Sequence, residues 1–434
     1  MTKEMETVGV LGAGISGLAF ASIVKRAELL EKESEPGGLA RSIKDSGYTF
    51  DLGSHIVFSQ NQEVLNFMLE LLQGNRLDHR RNTKILYKGR FVKYPFENGL
   101  GDLPKDEALQ CVLDYIKAIS EKNSMPKNFK EWMHARFGDA IAEKYLYPYN
   151  AKIWDFPPEK MATFWVEGRV PQPPLVDVLK AAMGMESEGY LHQLHFYYPK
   201  NGGYQALVDS LAKRIEPKRL ITGFDVRKIK KEGECWIVSD GRNRERTYDQ
   251  LVSTIHIRDL VRAYEGADSE VRKAADSLCW NSIYLVMIGL KVARLNDIHW
   301  CYLPEQKLLP NRVSFPSNYS PFVAPKTHSS VLAEITFDPK GAKAQLKPGE
   351  VIERTIDGLV SLKIFKKSDV VFAKVTCCPY AYVVYDLDYN ENMSIINAFA
   401  AREGITLLGR FSEFKYMNAD KCIESAIEKA KSFV

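Results

Sequence analysis

The stretch Val8–Gly17, VGVLGAGISG, constrains this 434-residue chain more than any other. An apolar run suited to a strand buried on both faces leads into Gly12-Ala13-Gly14-Ile15-Ser16-Gly17, and an Ala/Leu/Phe-rich helical pattern follows. Each glycine answers a separate steric demand. Gly12 lets the chain turn out of the strand, Gly14 lets the backbone approach a pyrophosphate, and Gly17 lets the helix sit close to the sheet. The pyrophosphate then rests at a helix N-terminus, where free N–H groups and the helix dipole favour an anion. Ala27–Leu30 reads as a second strand and ends in Glu31, close to the spacing of about 20 residues at which a carboxylate accepts hydrogen bonds from an adenosine ribose. Glu31 argues against a 2′-phosphorylated ribose, because two anions would face each other. Pro36-Gly37-Gly38 and Arg41 follow, as a loop able to approach a phosphate or an electron-rich ring.

The chain is longer than one core usually grows, so more than one domain is expected. Strand patterns that suit the nucleotide-binding sheet recur at Leu220–Gly223, Gln250–Thr254 and Ile405–Gly409, and a helix is predicted over Lys421–Phe433. Between Lys105 and Tyr149 the pattern is helical, with breaks at Met125-Pro126 and around Gly138. Ile283–Val292, Val331–Phe337, Val370–Val375 and Ala381–Tyr385 read as strands of a second sheet, rich in β-branched and aromatic residues. The expected fold is α/β and discontinuous. A Rossmann-like dinucleotide domain is built from residues 1–85, 200–265 and 395–434, with a helical domain at 100–190 and an antiparallel β-sheet substrate domain at 86–99 and 266–394 inserted into it.

A formal net charge of +4 gives little support to nucleic-acid or membrane-surface binding. The seven cysteines are scattered and form no CxxC, so neither a metal site nor a disulfide framework is expected. No apolar run approaches the roughly 20 residues needed to span a bilayer. Together with the polar N-terminus, MTKEMET, this predicts a cytoplasmic protein.

Several residues could carry chemistry. Gly47–His55 alternates like a strand and delivers His55 to a glycine-permitted loop. Arg312 and Arg410 each follow an apolar stretch; taken singly, each reads equally as a solvated strand end. Converging with Tyr302, Tyr382 and Tyr416, they would form a fork for a diphosphate, since guanidinium binds phosphate oxygens bidentately. Trp154, beside Asn150, could wall a sugar or a flavin, or simply be core. No Ser-His-Asp pattern points to a hydrolase.

The paired glycine signatures with Arg41 resemble the FAD entry of the glutathione-reductase-like flavoproteins, a group that includes amine oxidases and protoporphyrinogen oxidase. Further segments are more specific: Phe50–Ser59 (FDLGSHIVFS), Tyr94–Asn98 (YPFEN), Pro148–Trp154 (PYNAKIW), Pro158–Met161 with Trp165 and Gly168-Arg169-Val170, Arg312–Pro321 (RVSFPSNYSP) and Leu408–Asn418 (LGRFSEFKYMN). In order and spacing they resemble the UDP-galactopyranose mutase family, in its eukaryotic-type branch, along most of the chain. The resemblance implies that Gly12, Gly14, Gly17, Glu31, Gly38 and Arg41 bind FAD, and that His55 stands on a mobile loop beside the flavin. It implies further that Arg312 and Arg410 hold the substrate diphosphate, that Tyr302, Tyr382 and Tyr416 line that site, and that Asn150, Trp154 and Arg169 belong to the substrate pocket. Tyr94 and Phe96 fall where the family holds uracil.

The implied reaction interconverts UDP-galactopyranose and UDP-galactofuranose without net redox change. In the family, N5 of reduced FAD attacks the anomeric carbon, UDP leaves, the flavin–sugar adduct opens and recloses, and UDP returns. NADPH or NADH is implied as a transient reductant and a nucleotide sugar as the substrate, while a homo-oligomer stays open. This chain departs from the family at Ser54, where a glycine is usual, and at Glu97, where a glutamine is usual; an ionised glutamate accepts hydrogen bonds but donates none. On sequence, a mutase acting on another nucleotide sugar and an amine-oxidase-like FAD oxidoreductase therefore stay open beside the leading reading.

Overall fold

The computed structural model describes residues 6–121, 125–166, 169–185 and 194–434; Gly168 and the end of the expected helical domain lie outside them. Five parallel strands form the first sheet, in the spatial order Ile405–Leu407, Gln250–Ser253, Val8–Leu11, Ala27–Leu30, Leu220–Ile221. The chain thus returns twice to a sheet begun at its N-terminus. Val8–Leu11 is central and fully covered on both faces, which accounts for its unbroken apolar run. Helix Ile15–Ile23 packs against the sheet and against helix Ala419–Ala430, sharing a core of Leu18, Phe20, Ile423 and Ala426.

The second sheet has seven strands, ordered Val370–Val384, Cys279–Leu290, Ser329–Phe337, Arg312–Ser314, Trp300–Tyr302, Thr83–Tyr87, Arg90–Lys93. Its pairings are antiparallel except between Trp300–Tyr302 and Thr83–Tyr87. Two separate strands are expected at Val370–Val375 and Ala381–Tyr385; they are one long strand, whose register shifts opposite Asn281 and Ile283. A pairing irregularity of this kind re-aims side chains without ending the strand, and Tyr382 lies there, opposite Asn281.

Helices Lys105–Ser120, Phe129–Ile141, Tyr147–Trp154 and Leu175–Ala182 surround a third core that contains Phe96, Trp132, Tyr145 and Trp154. Gly138 interrupts the second of these at φ +76°, where an added Cβ would stand 2.4 Å from the Asp114 backbone. The end of helix Tyr147–Trp154 is tied to the seven-stranded sheet. The buried Lys152 amine donates to the carbonyls of Leu303 (2.9 Å) and Glu305 (2.7 Å), and Asp155 accepts from Lys343 Nζ (2.7 Å) and the Asp338 N–H (2.8 Å). Asn281, 1% exposed, donates to the carbonyls of Ile153 and Trp154 and accepts from the Tyr382 N–H, all at 3.1 Å. One buried amide therefore sets Trp154 beside Tyr382. Among the described residues no helix is long and apolar enough to cross a membrane.

Candidate functional site

A cleft of about 1290 Å³ opens at the C-terminal ends of the first sheet, with Gly12, Gly14, Glu31, Arg41, His55 and Arg410 in its lining. Gly12, at φ +95°, turns the chain out of its strand, and its N–H bonds the Leu30 carbonyl at 2.8 Å. Gly37 donates to the Ala13 carbonyl at 2.7 Å, bringing the second glycine pair against the first. Glu31, 6% exposed, accepts from the N–H groups of Ala13 (2.8 Å) and Glu33 (3.0 Å) and so braces the turn from below. Arg41 lies alongside, its Nε on the Gly38 carbonyl at 3.1 Å.

The glycines separate by function. A Cβ on Gly17 would lie 2.2 Å from the Gly12 carbonyl oxygen, so Gly17 serves helix–strand packing and does not line the cleft. Gly14 has an extended φ of −69°, which any residue adopts, and a Cβ there would meet no protein atom within 4 Å. Its lack of a side chain therefore has no explanation in packing. It keeps open the space over a helix N-terminus, the position of a dinucleotide pyrophosphate, and the cradle fits such a cofactor.

Arg410, in the cleft lining, belongs to a cluster of cations and aromatic rings. Tyr302, Arg312 and Glu334 stand in one row across three adjacent strands. Arg312 Nη2 donates to Glu334 Oε2 at 2.6 Å, while Arg312 Nε is buried without a partner. Arg410 donates Nη1 to the Met417 carbonyl at 3.0 Å and lies over the rings of Tyr382 (4.9 Å) and Tyr416 (4.7 Å). Its Nε and Nη2 are both buried and unbonded among the described residues. Tyr382 and Tyr416 stack on each other, Trp154 meets both edge to face, and the Arg169 guanidinium caps Tyr416 at 3.6 Å. Tyr94 and Tyr149 each pack on Tyr302, at 5.0 and 5.1 Å.

Both arginines act on the same two groups. Burial, followed by the charges of Arg312 and Arg410, lowers the His55 pKa to about 4, so the ring is neutral at pH 7. Burial also raises the Tyr382 hydroxyl above the usual phenol range, against the pull of Arg312 and Arg410. His55 lies 4.9 Å from the Tyr204 ring, with its Nδ1 buried and unbonded. Buried N–H donors left without acceptors are costly, and several converging on one place mark where an anion or carbonyl oxygen belongs.

Phe96 and Asn150, both expected in the pocket, are held by contacts within the helical part of the chain. The Phe96 ring is fully buried, stacked on Tyr145 behind Tyr94. The Asn150 amide is engaged within its own helix, donating to the Leu146 carbonyl (2.8 Å) and accepting from Trp154 Nε1 (3.2 Å), so it orients the tryptophan. Glu334, Tyr149 and Asn281 belong to the site or its support and escape a reading of the sequence. Only Glu334 carries a signal, as a lone carboxylate in the apolar strand SSVLAEITF, where it is completely buried.

Fold and cleft together define a dinucleotide-cofactor protein with a cluster of arginines and aromatic rings beside its cofactor cleft. The flavin containing amine oxidoreductase family matches residues 15–430. The chain belongs to that family. A solved structure of reduced UDP-galactopyranose mutase superposes with a TM-score of 0.92 at 25% identity, covering 99% of this chain and 94% of that one. A UDP-galactopyranose mutase from Mycoplasma pneumoniae is 27% identical over 175 residues, which are 35% of this chain and 41% of that relative. The match thus spans less than half of the relative's length. A fatty acid isomerase from P. acnes shares the fold alone, with a TM-score of 0.68 at 14% identity and full coverage of both chains. One scaffold evidently hosts unlike chemistries, so the site decides the function.

Proposed function

We propose that this protein is an FAD-dependent nucleotide-sugar mutase that interconverts UDP-galactopyranose and UDP-galactofuranose with no net redox change. The observation that carries the reading is a pair of half-buried arginines, Arg410 lining the cofactor cleft and Arg312 acting with it on His55, whose buried Nε atoms and, for Arg410, Nη2 have no partner among the described residues. A flavoprotein acting on an amine has no use for a second diphosphate site, whereas a nucleotide sugar brings a diphosphate of its own. The likeness to a UDP-galactopyranose mutase over nearly the whole chain supports the same substrate class.

Gly12, Gly14, Glu31, Gly38 and Arg41 would hold FAD, with Gly17 fitting the helix behind it. Bound there and reduced, FAD would supply covalent nucleophilic chemistry toward the sugar. Arg312 and Arg410 hold the diphosphate, neutralising the charge that develops on it and keeping it in place for its return. Neutral His55 faces the cofactor cleft and brings no third positive charge beside those arginines. Tyr382, Tyr416 and Trp154 form an aromatic wall that shields the sugar from water, and Tyr94 with Tyr302 forms the uracil end. NADPH or NADH serves as transient reductant, and the setting is cytoplasmic.

Chromatographic separation of the two UDP-sugars tests this reading. Conversion by dithionite-reduced protein, and none by oxidised protein, is the expected outcome. Absence of conversion by protein with fully reducible FAD refutes the proposal.

A further inference from the structure

Strands Trp300–Tyr302 and Arg312–Ser314 form a hairpin in which Tyr302 pairs directly with Arg312, so the loop 303–311 leaves from one residue of the cluster and returns at the other. The facing wall, Tyr149 and Trp154, stands on helix Tyr147–Trp154, and Tyr149 meets Tyr302 at 5.1 Å. Lys152 lies between those two wall residues in the helix and is 3% exposed. Its amine crosses to the loop, donating to the carbonyls of Leu303 (2.9 Å), the residue next to Tyr302, and of Glu305 (2.7 Å). A buried ammonium is costly, and a methionine would fill the same space without that cost. What the charge adds is a pair of charge-assisted bonds, roughly twice as strong as neutral ones, across the gap between the two walls.

We infer that Lys152 is a positioning residue for the nucleotide-sugar site: its protonated amine sets the helix that carries Tyr149 and Trp154 against the hairpin that carries Tyr302 and Arg312, and the site holds substrate more firmly with that proton in place than without it. The inference rests on the mutase reading. Burial, followed by the charge of Lys343, lowers the Lys152 pKa to about 7, against the pull of Glu305. The charged groups around it are Asp155 on its own helix end, Lys343 and Asp338 beyond strand Ser329–Phe337, and Glu305 with Lys307 in the loop. Below neutrality the ammonium grips both carbonyls; as pH rises through about 7 the proton leaves and the two bonds weaken to the neutral kind. By linkage, substrate binding then draws a proton on to Lys152. His55 is already neutral in this range, and burial keeps the Tyr149 and Tyr382 hydroxyls protonated.

The test is calorimetric titration of FAD-loaded, oxidised protein with UDP-galactopyranose, whose diphosphate has no group that titrates near neutrality. For the natural chain the dissociation constant is expected to rise by about threefold or more between about pH 6.5 and about pH 8.5. Proton uptake at the middle of that range should appear as a binding heat that changes with the ionisation heat of the buffer. K343M removes the neighbouring cation and should move the midpoint of the rise upward by about half a pH unit or more. K152M keeps the length of the side chain but neither its charge nor its donors; it should bind as weakly as the natural chain at high pH, with a flat profile and no proton uptake. A merely structural lysine, when replaced, would lower the melting temperature and leave the pH profile in place. A natural chain with a flat profile and no proton uptake, a folded K152M that retains the rise, or a K343M midpoint that stays or falls overturns the role of Lys152 and leaves the mutase reading standing. A natural chain that binds UDP-galactopyranose at no pH overturns both.

Discussion

Replacing Arg410 with alanine should abolish most nucleotide binding while leaving the cofactor in place. Among the described residues only Nη1 of its guanidinium is bonded, to the Met417 carbonyl, and Nε and Nη2 are the free donors. Each hydrogen bond to a charged acceptor is worth about 1.5–3 kcal/mol, so two such bonds to phosphate oxygens amount to about 3–6 kcal/mol. At about 1.4 kcal/mol per tenfold, the dissociation constant of UDP should rise by roughly a hundredfold to ten-thousandfold. R410K retains the charge but not the planar fork, and should lose about tenfold. Calorimetric titration of FAD-loaded protein with UDP measures both. A dissociation constant for R410A within about threefold of the natural one would show that the free donors do not face the diphosphate, and would remove the clamp from the reasoning.

Gly14→Ala and Gly17→Ala should part company: the first should fold with an unchanged melting temperature but purify with little flavin, seen as lost absorbance near 450 nm, because its Cβ enters only the open cleft. The second should destabilise or fail to fold, because its Cβ meets the Gly12 carbonyl at 2.2 Å. Asp51, buried and bonded to Ser42, Tyr198 and the Tyr204 N–H, has its carboxyl raised by burial to about 6. The native state therefore holds this proton more tightly than the unfolded chain, and the stability it lends is complete below 3.8 and fades as pH rises through about 6. Urea midpoints of D51N, which cannot ionise, should fall less than those of the natural chain over that interval. Asn281→Ala removes three buried hydrogen bonds, each orphaned group costing about 1–3 kcal/mol. It should lower stability by roughly 3–9 kcal/mol in urea unfolding and cut turnover by freeing Trp154 from Tyr382.

The cofactor cradle was legible because its determinants are local. A strand, a glycine turn and a helix N-terminus are contiguous in the chain, and backbone geometry restricts which residues can stand at Gly12 and Gly17. The distal cluster was legible only as candidates. Arg312, Arg410, Tyr382 and Trp154 come from four distant segments, and what brings them together is sheet order, the register shift opposite Asn281 and the anchoring of Lys152 and Asp155. None of these has a local signature: Asn281 reads as one more polar residue in a strand, and Lys152 as a surface lysine. Phe96, which the resemblance places with Tyr94, has a fully buried ring stacked on Tyr145 in the helical core, a packing that its sequence neighbours do not reveal.

Charge balance bears on what such a site can do. Glu334 offsets Arg312, His55 is neutral, and among the described residues no carboxylate pairs with Arg410. On the proposed reading a diphosphate would meet one arginine already partnered and one that is not, with Arg169 occupied over the Tyr416 ring. Two fully uncompensated guanidiniums in a buried site would bind substrate and departed diphosphate alike with great strength, and tight binding of every species along the path does not speed turnover. A partly compensated pair holds the diphosphate through its departure and still permits its return and release. On this reasoning Glu334, although it contacts no substrate in any role assigned to it, sets how firmly the site grips, and the charge-neutral E334Q should bind UDP more tightly in at least one flavin redox state yet turn over more slowly, a divergence of KM and kcat that steady-state kinetics resolves.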